Sequence, residues 1–145
     1  MPKFKDMRSR LVVHYHDGRL LKGYSNDFEP GVDTFHLVSE QEKDEGHIYE
    51  VNCIDLKAVF FVKTFEGNKD YIEKKKFDNI DSYGLLGLKI KVEFPDGEII
   101  RGMSFDYGEN FKGFFIMPVD PKGNNQKIYV ISDNVKDIKV GDKTD

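Results

Sequence analysis

Two stretches decide the fold, because they match at a constant offset: LVVHYHDGRLLKGYSNDFEPGVDTFHL at 11–37 and IKVEFPDGEIIRGMSFDYGENFKGFFI at 90–116. We call this the repeat offset; it aligns position 11 with position 90. Seven aligned pairs are identical: Val13/Val92, Asp17/Asp96, Gly18/Gly97, Gly23/Gly102, Ser25/Ser104, Asp27/Asp106 and Phe35/Phe114. After a one-residue slip the match resumes with Ile48-Tyr49 against Ile128-Tyr129, and the repeat offset returns at Lys57/Lys136. Self-similarity at a fixed offset indicates one structural unit present twice.

Each copy has the local signals of short antiparallel strands. Val13 and Tyr15 alternate with two histidines, and Asp17-Gly18 follows as a dipeptide that favours a two-residue hairpin turn. Five residues after each turn glycine, a second glycine lies inside the next strand, where it indicates a bend or a close backbone approach. Four glycines are therefore predicted to be structural: Gly18, Gly23, Gly97 and Gly102. Three more strand patterns follow in each copy.

The sequence predicts an all-β protein made of two tandem five-stranded small barrels, packed face to face. Its parts are a basic N-terminal segment at 1–10, a first barrel at 11–63, a connecting segment at 64–87, a second barrel at 88–140 and a C-terminal tail at 141–145. The connecting segment contains too many apolar residues for a freely solvated linker, so we expect it to be partly ordered.

Composition limits the class of protein. With 39% hydrophobic and 13% aromatic residues, the 145-residue chain has enough apolar mass for one or two compact cores. The absence of an apolar run of about 18 residues predicts a cytoplasmic protein without membrane insertion. The single Cys53 fits a reducing compartment. A net charge of −4 argues against a nucleic-acid partner, because such partners usually require a basic domain.

DGRLLKG at 17–23 and DGEIIRG at 96–102 resemble the turn and bent strand of the first signature of Sm-like small barrels, which are also SH3-like. IYEVNCIDLKAVFFV and IYVISDNVKDIKV are similar to the second half of such barrels. The Asn that contacts RNA bases in Sm proteins has no equivalent here, so RNA binding is not implied. DGE-x-x-x-G with FF-x-x-P-x-D-P-x-x-N-N also resembles bacterial domains of unknown function, sometimes found near signalling and motility proteins.

The predicted binding residues lie in the second copy. Phe105, Tyr107 and Phe111 are three aromatic residues within seven positions of a polar, glycine-bearing loop, more than a small barrel buries locally. Aromatic residues in loops are typical of peptide-binding or self-association surfaces. Asn124 and Asn125 belong to a turn-forming cluster, which is predicted either to close a hairpin, the simpler interpretation, or to present its side-chain amides to a ligand.

Other candidate sites have weaker signals. His14 and His16 share one strand face but lack a third metal ligand, so no metal is expected. Cys53 has no adjacent base and is predicted to be a small buried residue. The stretch 27–31 is similar to the Asp-x-Ser-x-x-Gly element of PilZ-type receptors, although its glycine is one residue early; the simpler interpretation is that Asp27 and Asp106 cap a turn.

No nucleophile and base, paired carboxylates or phosphate loop is recognisable, so neither enzymatic activity nor a cofactor is expected. The sequence predicts a non-catalytic binding or scaffolding module that contacts protein partners, including copies of itself. The alternative is a PilZ-like receptor for a nucleotide or cyclic dinucleotide.

Overall fold

Where the structure describes the chain, the fold is all-β with nearly no helix. A computed structural model describes residues 8–67, 69–77, 87–108, 111–141 and 144. The strands are β1 (Ser9–Tyr15), β2 (Leu20–Ser25), β3 (Thr34–Ser39), β4 (Ile48–Asn52), β5 (Leu56–Val62), β6 (Leu88–Glu93), β7 (Ile99–Ser104), β8 (Gly113–Pro118), β9 (Asn125–Ile131) and β10 (Asp137–Val140). Within the described ranges, no helix has the length and apolar character needed to cross a membrane.

The strands form one open antiparallel sheet in the order β10-β6-β7-β8-β9-β5-β1-β2-β3-β4. The predicted face-to-face packing of two barrels is wrong, because β5 pairs edge to edge with β9. Val59 lies opposite Tyr129, and Phe60 lies opposite Ile128. The physical reason is the apolar run of β5, which is buried along its whole length and needs neighbours on both faces.

The pairing registers of the last five strands repeat those of the first five at the repeat offset. Leu11 lies opposite Gly23 in β1 and β2, as Ile90 lies opposite Gly102 in β6 and β7. The predicted one-residue slip between β4 and β9 is wrong. Phe35 pairs with Val51, and Phe114 pairs with Val130, so both members of the pair keep the repeat offset. A slip by one residue would turn every side chain of the strand to the opposite face.

Two hydrophobic cores lie on opposite faces of the central strands β5 and β9. Along β5, Val59 and Phe61 belong to one core and Phe60 to the other. Along β9, Tyr129 belongs to the first core and Ile128 to the second. Successive side chains of a strand point to opposite faces, so each core receives residues from both groups of five strands.

The first hairpin turn is one residue longer than predicted. Gly18 donates its N–H to the Tyr15 carbonyl at 3.1 Å, and Tyr15 donates its N–H to the Arg19 carbonyl at 2.9 Å. These bonds enclose a three-residue loop in which Gly18 has a φ of +96°, a conformation that favours glycine. Gly97 occupies the equivalent position in the second hairpin, with a φ of +93°.

The two strand glycines are sites of close backbone approach. A Cβ atom at Gly23 would lie 2.2 Å from the carbonyl oxygen of Val38. At Gly102 the corresponding distance to the Met117 carbonyl oxygen is 2.1 Å. Both distances are far below van der Waals contact, so only glycine lets β2 and β7 cross their neighbours this closely.

The described part of the connecting segment is tied to the sheet. The Tyr71 hydroxyl donates to Asp120 at 2.6 Å, and the Lys74 N–H donates to the same carboxylate at 2.9 Å. Phe77 is buried against residues of β7 and of the loop after β8. The apolar residues predicted to order the stretch 78–86 lie outside the described residues.

Candidate functional site

The three predicted aromatic residues lie on the loop between β7 and β8, and they differ in exposure. Phe105 and Phe111 are 68% and 58% exposed. Tyr107 is half-buried and packs edge to face on Phe114, with ring centroids 5.0 Å apart. Two apolar rings are therefore available to a partner, whereas the third belongs to the edge of the second core.

Asn124 and Asn125 lie beyond the other end of β8, roughly 17–20 Å of extended chain from the aromatic loop. The Asn124 amide accepts from the Thr64 N–H at 3.1 Å and donates to the Thr64 carbonyl at 2.9 Å. Asn125 begins β9 and pairs with Val62. The five residues do not meet in one site, and sequence reasoning missed the role of Asn124 in holding the connecting segment.

Asp27 and Asp106 each accept a bond from an N–H nine residues further along the chain, rather than capping a local turn as predicted. Asp27 accepts from the His36 N–H at 2.9 Å, as Asp106 does from the Phe115 N–H at 2.9 Å. Burial opposes the charge of Asp27, but hydrogen bonds from His36 and Ser25 outweigh it and lower the pKa of this carboxyl. Both aspartate side chains are thus used in hydrogen bonds that stabilise the fold.

His14 and Cys53 are packing residues. Burial lowers the pKa of His14 to about 4, and its ring stacks on Phe60 with centroids 4.1 Å apart. Burial raises the pKa of the Cys53 thiol to about 11, the opposite of the shift expected for a nucleophile. Among the described residues, no group of three or more His, Cys, Asp or Glu side chains is arranged to hold a metal ion.

Lys57 forms ion pairs that sequence reasoning missed, with a buried lysine side chain and two carboxylates that are about half exposed. It lies in the apolar run of β5, is 7% exposed, and donates to Asp96 at 2.8 Å and to Glu98. Burial disfavours its charge, but the two carboxylates outweigh this effect and raise the pKa of Lys57. The sequence contains one signal for this contact, the lysine inside the apolar strand LKAVFFV, because a buried lysine needs a partner of opposite charge.

The sheet ends in two strands with only one described neighbour each. β4 pairs with β3, and β10 pairs with β6. Each of these end strands has an exposed aliphatic residue: Ile48 is 61% exposed and Val140 is 41% exposed. An edge strand presents unpaired N–H and C=O groups that can pair with another chain.

A second surface feature, the cationic groove, crosses the ends of β9, β5, β1 and β2. It has a volume of about 520 Å³ and is lined by Arg8, Ser9, Arg10, Tyr24, Phe61, Val62, Gln126 and Lys127. The Arg8 guanidinium lies 4.3 Å from the Tyr24 ring centroid, and the Lys127 ammonium lies 4.7 Å from that of Phe61. Sequence reasoning missed this groove, because no local pattern indicates that the two N-terminal arginines lie over the Tyr24 ring while Lys127 packs on Phe61.

The fold and these surfaces define an all-β protein built on one open antiparallel sheet. A family model described as a family of unknown function (DUF6982) matches residues 7–141. The chain belongs to this family, which agrees with the predicted resemblance to domains of unknown function. No curated protein and no solved structure matches the chain, so the Sm-like resemblance has no support from a match.

Proposed function

We propose that this protein is a non-catalytic scaffolding module that binds other polypeptides through its sheet edges. Its first partner in this proposal is a second copy of the same chain. The proposal includes the finer interpretation that each group of five strands is a strongly bent, Sm-like unit. It is supported by the neighbour order β5-β1-β2-β3-β4, which recurs as β10-β6-β7-β8-β9, and by the close approaches at Gly23 and Gly102.

The observation that carries this function is the pairing of β5 with β9 inside the chain. By the repeat offset, β10 is the equivalent of β5, and β4 is the equivalent of β9. The two end strands are therefore the counterparts of two strands that already pair with each other. β4 of one copy and β10 of another can form the same antiparallel junction.

The register of the internal junction predicts the contacts of the external one. Phe61 lies opposite Lys127. At the repeat offset, the counterpart of Phe61 is Val140 and the counterpart of Lys127 is Ile48. The same junction between two copies therefore places Val140 of one copy opposite Ile48 of the next. Both side chains are exposed and aliphatic, and directly opposed apolar pairs stabilise antiparallel strands.

An adjacent pair adds polar complementarity. Phe60 lies opposite Ile128. Their counterparts are Lys139 and Tyr49, so Lys139 of one copy lies opposite Tyr49 of the next. The Tyr49 hydroxyl donates to Asp44, so a carboxylate stands close to the ring that faces the lysine. Because the two joined edges differ, the contact is head to tail and generates rings or filaments.

Sedimentation velocity over a range of protein concentrations tests the proposal. We expect the wild type to associate as concentration rises, and Ile48→Lys or Val140→Lys to remain monomeric because each places a charge opposite an aliphatic residue. Ile72→Lys is the matched control, since Ile72 is 90% exposed, lies in the connecting segment and belongs to neither end strand. The proposal would be contradicted if the wild type stayed monomeric at every concentration, or if the Ile72→Lys control were as monomeric as the two edge variants.

A further inference from the structure

Lys57 and the second hairpin form a lysine-binding site across the junction of β5 with β9. The Lys57 ammonium lies 4.8 Å from the Phe94 ring centroid, and it donates to Asp96 at 2.8 Å and to Glu98. Lys57 comes from β5, whereas the ring and the two carboxylates belong to the hairpin between β6 and β7. One group of five strands therefore inserts a lysine into a site built by the other.

The first hairpin, between β1 and β2, has an equivalent site. At the repeat offset, Phe94, Asp96 and Glu98 correspond to Tyr15, Asp17 and Arg19. Asp17 accepts from the Arg19 N–H at 3.0 Å, as Asp96 accepts from the Glu98 N–H at 3.0 Å. In both hairpins one carboxylate oxygen is thus used by the turn, and the other oxygen binds a cation. The first hairpin therefore has the same ring and carboxylate as the second.

Within one chain, Arg19 fills the first-hairpin site itself. Its guanidinium lies 4.4 Å from the Tyr15 ring centroid, and its Nε donates to the second carboxylate oxygen of Asp17 at 2.8 Å. Arg19 thus takes the position that Lys57 takes in the second hairpin. Its side chain is 68% exposed, in contrast with 9% for Lys57. An exposed ion pair contributes little stability, so Arg19 is an easily displaced occupant.

Lys136 is the counterpart of Lys57, and it directly precedes the end strand β10. Its side chain is 63% exposed, and its ammonium lies 3.5 Å from a carboxylate oxygen of Glu93. Its backbone N–H donates to the Glu93 carbonyl at 2.8 Å, which fixes the residue beside β6. The proposed pairing of β10 with β4 of a second copy repeats the junction of β5 with β9. It therefore brings Lys136 to the first hairpin of that copy.

We propose that Lys136 of one copy binds in the first-hairpin site of the next, on Tyr15 and Asp17, in place of Arg19. This inference rests on the edge pairing proposed above and adds its regulation, because Arg19 is an internal competitor that weakens the contact between copies. Binding breaks two exposed ion pairs, Arg19 with Asp17 and Lys136 with Glu93, and it forms one that the joined edges shield from solvent. A carboxylate at residue 19, as in the second hairpin, removes the competitor.

Sedimentation velocity of Arg19→Glu tests the proposal, because this substitution copies Glu98 into the first hairpin. We expect Arg19→Glu to associate about fivefold more tightly than the wild type, since it removes the competitor and adds a carboxylate for Lys136. Lys136→Met in the same chain should abolish that gain, because Met keeps most of the side-chain length without the charge. Lys75→Glu is the matched control, since it makes the same change of net charge at an exposed residue of the connecting segment.

Ile48→Lys separates the failure of this inference from that of the edge pairing. Suppose that the wild type associates, that Ile48→Lys is monomeric, and that Arg19→Glu associates no more tightly than Lys75→Glu. The edge pairing then stands, and the Lys136 contact is overturned. The contact is also overturned if Lys136→Met leaves the gain of Arg19→Glu unchanged. Chains that stay monomeric in every variant would contradict both proposals.

Thermal melts accompany each measurement, because Arg19→Glu also removes the ion pair with Asp17. If this variant melts at a lower temperature than the wild type, Arg19→Gln takes its place, since it removes only the competing charge. Arg19→Gln is expected to associate more tightly than the wild type by a smaller factor. No gain in that variant would overturn the contact.

Discussion

Gly102 lies so close to Met117 that a Cβ atom at residue 102 would stand 2.1 Å from the Met117 carbonyl oxygen. No side-chain rotation relieves such a contact, because the obstructing atom belongs to the backbone of β8. We expect Gly102→Val to lower the free energy of unfolding by more than about 2 kcal/mol through overpacking and backbone displacement.

Gly67→Val is the comparison for this substitution in urea denaturation. At Gly67 the nearest atom to a new Cβ is 3.7 Å away, but the φ of +71° strains any other residue. The cost there is expected at about 1–2 kcal/mol, smaller than at Gly102. Equal and small losses at the two sites would show that β7 does not need its close approach to β8.

His14 gives stability a defined pH dependence. Burial lowers its pKa from 6.5 to about 4, so the folded state resists protonation more than the unfolded state. The stability that depends on a neutral His14 is therefore fully present above pH 6.5 and is lost as the pH falls towards 4. The free energy of unfolding decreases by about 3 kcal/mol over this range from this group. We expect His14→Phe to lose less stability than the wild type between pH 7 and 4, measured by urea denaturation. Parallel curves for the two proteins would contradict this.

Cys53 should react slowly in the folded protein. Its thiol is buried and has a pKa of about 11, so little thiolate is present at neutral pH. We expect alkylation by iodoacetamide at pH 7.5 to be at least about a hundredfold slower in buffer than in concentrated urea. Mass spectrometry measures both rates, and similar rates would mean that Cys53 is accessible.

Binding of RNA or duplex DNA should be weak. The net charge is −4, and the cationic groove offers only three cations. We expect no dissociation constant below about 10 μM at physiological salt, because non-specific affinity requires many phosphate contacts. A titration at several salt concentrations measures this, and a steep salt dependence with tight binding would contradict it.

The strands could be predicted from the sequence because their signals are local. Alternating residues, the Asp-Gly turns and the internal match located all ten strands and the glycines that shape them. The junction of β5 with β9 was missed, although the apolar run AVFFV at 58–62 indicates a strand buried on both faces. The register at β4 was also missed, because pairing with β3, rather than residue identity, sets it.

The candidate sites depend on contacts that sequence spacing does not reveal. Asn124 looked available to a ligand, but Thr64, sixty residues away, occupies its amide. Arg8 and Arg10 looked like part of a basic N-terminal segment, but folding places both guanidinium groups within 6 Å of the Tyr24 ring centroid. Surface sites of this kind arise where distant strands meet, so a single sequence contains no local pattern for them.

Disulfide trapping between two copies tests the proposed head-to-tail edge pairing most directly. Ile48→Cys and Val140→Cys are introduced into separate copies, and the copies are mixed under mild oxidation. Opposed residues of an antiparallel pair lie close enough for a disulfide, and native Cys53 is buried. We predict rapid formation of a mixed dimer from Ile48→Cys with Val140→Cys and little from Ile72→Cys with Val140→Cys. Equal yields from the two mixtures, or no mixed dimer, would contradict edge pairing between copies.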